Sequence, residues 1–166
     1  MAVAYTDVEE VFASGDKGAL AAAYNMWGAL VYTITLRGTG EADVASNLTR
    51  RTFLSVWHGT GQASSLPLKA RLVLTARTLV HTHLAERGAT ASDQAEADGV
   101  IDRVVVRDEL TAMSEPTRSV MLQALADGAG VAELAARAAL PTEDVELLVR
   151  DGVNTLVTSL AASRGI

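Results

Sequence analysis

Residues 141–152, PTEDVELLVRDG, decide how the second half of this chain is read. Leu140-Pro141 makes a turn, Thr142 is placed to cap a helix, and that amphipathic helix runs on to about Ala161. Just upstream, VAELAARA (131–138) has the length of a two-turn helix. A short helix, a tight turn and a longer helix form the helix-turn-helix signature. The first turn of the longer helix nevertheless carries Glu143, Asp144 and Glu146, where a reader of duplex DNA needs cations. Exposed acids in a first turn favour the helix dipole by roughly 0.3–1 kcal/mol each, which explains their presence but not the missing cations. Leu147 and Leu148 cannot hydrogen-bond base edges, and Arg150, the basic residue of this stretch, has Asp151 beside it. The shape of a DNA reader is therefore expected here without the reading.

Upstream of this pair, Asp127-Gly-Ala-Gly130 stops a preceding helix, SVMLQALA (119–126), for which Ser114 is the expected cap and Pro116 an early residue. VIDRVVVRDELTAM (100–113) reads as an amphipathic lead-in. GATASDQAEADG (88–99) is small, polar and acidic with no periodic apolar face, and reads as a flexible linker. Before it, PLKARLVLTARTLVHTHLAER (67–87) starts with proline near the first helical turn, where the missing N–H costs little. HGTGQASS (58–65) is turn-rich, and EADVASNLTRRTFLSVW (41–57) sets Val44, Leu48, Phe53, Val56 and Trp57 largely on one side. From Leu20 to Ile34 apolar residues recur at steps of three and four until Gly38-Thr-Gly40 ends the stripe. The expected fold class is all-α: two small helical domains, 1–87 and 100–166, joined by the acidic linker 88–99.

Composition limits the chemistry. The chain has 166 residues, 49% of them hydrophobic and only 4% aromatic, so its core is mainly aliphatic. Without cysteine it can form neither a disulfide framework nor a thiolate metal site. MAVAYTDVEEVF does not read as a signal peptide, and no apolar run reaches the eighteen or so residues of a membrane span, so a cytoplasmic protein without a membrane partner is expected. The net charge of −6 is unevenly spread: residues 45–87 hold six cations and one acid, whereas residues 88–166 hold six cations and thirteen acids. Lys69, Arg71, Arg77 and His81 form the densest part of the basic stripe, the kind of surface that suits a single nucleic-acid strand. Arg50 and Arg51 lie in the same basic third. His81 and His83, two apart on a helix, do not share a face and are not expected to hold a metal. No serine or histidine has the partners that nucleophilic catalysis needs, so neither an enzyme nor a cofactor is expected.

Over residues 7–162 the chain resembles the small two-domain bacterial sigma factors of the extracytoplasmic-function type. The first domain's motifs are echoed by Leu20-Ala-Ala-Ala-Tyr24, by Val31-Tyr-Thr-Ile-Thr-Leu-Arg37-Gly38 and by Ala45 through Trp57, followed by Ser65-Leu-Pro-Leu-Lys-Ala-Arg-Leu-Val-Leu-Thr-Ala-Arg77. The second domain's are echoed by Met113-Ser-Glu-Pro-Thr-Arg118, Val131-Ala-Glu133-Leu-Ala135 and Leu140-Pro141. The resemblance implies a region 2-like domain that engages core RNA polymerase and the minus-ten promoter strand, and a region 4-like helix-turn-helix for the upstream element. It places polymerase or partner contacts at Asn47, Arg50 and Arg51, and strand contacts at Lys69, Arg71, Arg77, Thr78 and His81. The departures are specific. The family's paired acids correspond to Ser46-Asn47, its Gln-Glu to Arg50-Arg51, the Asn-Arg after Arg77 to Thr78-Leu79, and its Gly-Thr-Val-Lys-Ser-Arg to Glu143 through Leu148. Two other readings stay open: a sigma mimic that binds an anti-sigma factor or another regulator without touching DNA, and a helical interaction module unrelated to polymerase.

Overall fold

The computed structural model describes residues 5–59 and 65–166, and the described residues are helical with no strand. The elements are α1 (Tyr5–Ala13), α2 (Lys17–Thr39), α3 (Ala42–His58), α4 (Leu68–Glu86), α5 (Ala91–Ala112), α6 (Thr117–Asp127), α7 (Val131–Ala138) and α8 (Thr142–Arg164). The expected turn-rich segment 58–65 is seen only at its ends, because residues 60–64 lie outside the described residues. The chain divides into two units, Met1–Val104 with Ala162–Ile166, and Val105–Ala161.

In the first unit α2 packs against α1, α3 and α4. Trp27, Val31 and Ile34 are buried on α2, with Leu48 and Phe53 from α3 and Leu72, Ala76 and Val80 from α4. Asp16 caps α2 by accepting the Gly18 N–H at 2.7 Å, and left-handed Gly40 closes it. Two hydroxyls register α2 on α3: Thr35 Oγ1 meets the Ala45 carbonyl at 3.2 Å and Thr49 Oγ1 at 3.1 Å, all buried. Gly38 is required by space, since a Cβ there would lie 2.7 Å from Val80 Cγ1. By length and hydropathy α2 is the one helix among the described residues that could cross a bilayer. Here its apolar side chains form the centre of a helical core. The helix α1, not expected from the sequence, adds Val8 and Phe12 to that core. Phe12 packs edge-on against Trp57 at 4.9 Å, and the Glu9 carboxylate accepts the N–H of Leu68 at the start of α4.

The segment expected to be a flexible linker is helical from Ala91 onward. Its boundaries are set by local chemistry. Gly88 ends α4 in the left-handed conformation, with Gly88 N–H donating to Ala85 and Ala89 N–H to Leu84, the double closure of a Schellman motif. Two residues later Thr90 and Asp93 form a capping box: each accepts the other's backbone N–H, at 3.2 and 2.7 Å. The Thr90 backbone N–H and hydroxyl, both donated to its carboxylate, hold the exposed Asp93 below its usual range. Ala97, Ile101 and Val105 then recur at helical spacing and are buried, which the polar appearance of residues 88–99 concealed. The division between units falls inside this helix, after Val104.

In the second unit Val120, Leu134, Ala135 and Val145 make a small aliphatic core from α6, α7 and α8. α6 begins at Thr117 with Pro116 in the cap position, so Ser114 is not its side-chain cap as expected. The turn between α7 and α8 places Ala139 at φ 53°, and the Leu140 N–H donates back to Ala135 at 3.1 Å. Gly152 lets α8 approach Met121, whose Sδ would lie 2.5 Å from an added Cβ.

Candidate functional site

One turn of α4 separates Arg77 from His81, and one turn of α5 separates Asp98 from Asp102. The four side chains meet. Arg77 Nη1 donates to Asp98 Oδ1 at 2.5 Å and Nη2 to Asp102 Oδ1 at 2.7 Å. His81 Nε2 lies 3.0 Å from the same Asp98 oxygen. Residues 163 and 164 complete the cluster. The Ser163 carbonyl accepts Arg77 Nε–H at 3.1 Å, and the Arg164 guanidinium pairs with Asp102. The Arg77 side chain is only 7% exposed, against 35% for Asp98 and 18% for Asp102.

This burial is tolerable because the charges balance. Two guanidiniums face two carboxylates, and the donor atoms of Arg77 are spread over three acceptor residues. Burial pushes the Asp102 carboxyl up, but hydrogen bonds and charge from Arg164 and Arg77 outweigh it and hold the group below its usual range. In return the hydrogen bond and charge of Asp102 raise the Arg164 guanidinium above its ordinary value. An open cleft of about 550 Å³ adjoins the cluster, its rim including Thr78 and Ala95.

The expected strand-binding residues are not one surface. Arg77 is a buried ion-paired group rather than a solvated cation, a correction to its expected availability. Of its neutralising acids, Asp98 comes from the segment expected to be a linker and Asp102 from the lead-in helix that follows it. His81 lies against Asp98. Arg71 is half-buried and directs Nη2 to the Val56 carbonyl at 3.4 Å, while Lys69 is half-buried on the first turn of α4. Thr78 is exposed and returns its hydroxyl to the Leu74 carbonyl. Among the described residues no group of three or more His, Cys, Asp or Glu side chains is placed to hold a metal.

Two other predicted sets are solvent-facing. Asn47, Arg50 and Arg51, spaced three and four apart on α3, are all exposed. On α8, Glu143, Asp144, Glu146 and Arg150 are exposed while Val145 turns into the core. Large apolar side chains stand beside them in the open: Leu147, Val153 and Val157 are 52%, 44% and 60% exposed. The same unit exposes Leu122 and Leu125 on α6.

No family model matches the chain. No curated protein matches it either. Solved structures do. One match, CnrH in complex with the cytosolic domain of CnrY, is 18% identical over 93% of this chain and 96% of that chain, with a TM-score of 0.43. Another is the sigma factor RpoE in complex with the anti-sigma factor NepR from Bartonella quintana, 19% identical over 87% of this chain and 98% of that chain, with a TM-score of 0.38. Likeness at this level carries no argument about function.

Proposed function

We propose that this chain is a divergent sigma-factor-like regulator of bacterial transcription. In this reading its first unit engages core RNA polymerase through α3, and its second unit binds protein rather than the upstream promoter element. The observation that carries the reading is the exposed start of α8, where the carboxylates of Glu143, Asp144 and Glu146 stand within the first two turns, at the end a helix-turn-helix would offer to phosphates. The order of motifs from Leu20 to Pro141 supports the sigma-like assignment, and the exposed row Asn47, Arg50 and Arg51 supports a protein contact on α3. Its function is binding, not catalysis, exercised beside polymerase in the cytoplasm.

A second reading is favoured by the apolar side chains that the second unit leaves open, Leu122, Leu125, Leu147, Val153 and Val157. In it the chain is a sigma mimic that presents an acidic and apolar face to an anti-sigma factor or another regulator. Charge complementarity then asks for a basic amphipathic helix as the partner segment. A pull-down of core polymerase with the purified protein, followed by binding of a labelled upstream duplex, separates the readings. Retained polymerase with no duplex binding supports the first. Loss of polymerase leaves the mimic, and salt-sensitive duplex binding that depends on α8 would overturn both.

A further inference from the structure

We propose that Asp98 and Asp102 are internal stand-ins for phosphate, and that the contact they make with Arg77 is autoinhibitory. The inference goes beyond the proposed function and takes up the expectation, drawn from the basic stripe of the sequence, that this face of α4 meets a nucleic-acid strand. Phosphate oxygens and carboxylate oxygens satisfy a guanidinium fork in the same way, by short charge-assisted bonds. Two successive turns of α5 supply those oxygens to Arg77 at 2.5 and 2.7 Å, and one of them also meets His81 at 3.0 Å. The Ser163 carbonyl takes Arg77 Nε–H, and Arg164 is held by Asp102. Two guanidiniums and an imidazole that could meet a polyanion are thus engaged within the chain.

The contact is built to release. Asp98 is a third exposed, and the cleft beside the cluster is open to solvent. The paired charges have a competitor of the same chemistry in any phosphodiester strand. A strand that displaces the two carboxylates gains Arg77, Arg164 and His81 together, so occupancy by the strand and closure of α5 on α4 exclude each other. The ligand is a single strand carrying phosphodiesters. A duplex needs an accessible ridge of cations, whereas these sit in a cleft.

The test compares the full chain with Asp98→Asn/Asp102→Asn, which keeps side-chain shape and removes the competing charge. The probe is a short fluorescent single-stranded deoxyoligonucleotide. Expected is a gain in affinity of about tenfold or more at low salt, with the logarithmic salt dependence steeper by about 1.4 for two freed guanidiniums. Adding Arg77→Ala should remove most of that gain. Unchanged affinity in a double variant with wild-type helical content would overturn the proposal.

A second variant covers the case in which the amides unfold the protein. Thr78→Cys/Ala95→Cys places thiols on two exposed cleft positions of a chain that has no other cysteine. A short bis-maleimide across them should weaken strand binding about tenfold relative to the unlinked variant, and equal binding would overturn the latch. Retention of core polymerase is measured alongside. Polymerase binding without a gain in the amide variant defeats the latch and leaves the proposed function standing, and the reverse result does the opposite.

Discussion

Helices α4 and α8 are the two elements for which the sequence raised a nucleic-acid contact, and they fail to present a basic face for opposite reasons. α4 has the cations, but Arg77 is buried and saturated by partners 21, 25 and 86 positions away. α8 has no such partners to consider, because its first turn is acidic and exposed. A charge count along the chain therefore registers the exposed acids of α8 but not the neutralisation of Arg77 on α4. Local charge decides a site only when the third dimension brings nothing to neutralise it.

The largest effect is expected at Arg77. Arg77→Ala would leave two carboxylates facing each other with one arginine between them, at a cost of about 3 kcal/mol. Chemical denaturation checks it, and a loss under 1 kcal/mol or so would mean that solvent already screens the cluster. On α8 the matching experiment adds cations rather than removing one. Glu143→Lys/Glu146→Lys should raise non-specific duplex affinity about tenfold at low salt, with a salt slope steeper by up to about 1.8. Fluorescence anisotropy against salt reads this, and no change would show that α8 is not turned towards a bound duplex.

Acid sharpens the contrast further. The Asp102 carboxyl is held below its usual range, so its stabilisation is complete above the unfolded value near 4 and is lost as pH falls through the lower folded value. Melting temperature should therefore drop more steeply below about pH 4 in the wild type than in Asp102→Asn. Parallel profiles would remove Asp102 from the stability of the first unit. The smallest effect lies in the turn before α8. Ala139 sits at φ 53°, so Ala139→Gly should stabilise the second unit by about 0.5–1 kcal/mol, read as a raised melting temperature.

Much of the fold was legible because periodic apolar stripes and stop signals are local. The stripe from Leu20 to Ile34, the glycines closing α2 and α6, and the short-helix, turn, long-helix pattern at 131–161 all correspond to elements of the structure. Residues 88–99 misled because the one side chain they bury is an alanine, Ala97, with Ile101 and Val105 following beyond the polar stretch. Even so, Gly88 and the Thr90-Ala-Ser-Asp93 box were readable as a helix stop and a helix start. α1 was missed for a similar reason, since Val8 and Phe12 are a single helical repeat. The ion-pair cluster was not legible at all. No rule of spacing connects residue 77 with residues 98, 102 and 163.

That 86-residue separation has a meaning for how the protein is made. At roughly 5–20 residues per second, a ribosome needs about 4–17 s to synthesise the stretch between Arg77 and Ser163. Asp98 and Asp102 follow Arg77 within the first third of that interval. Both carboxylates that neutralise Arg77 are thus synthesised well before Ser163, and the cluster can be completed only after the C-terminal residues have been made.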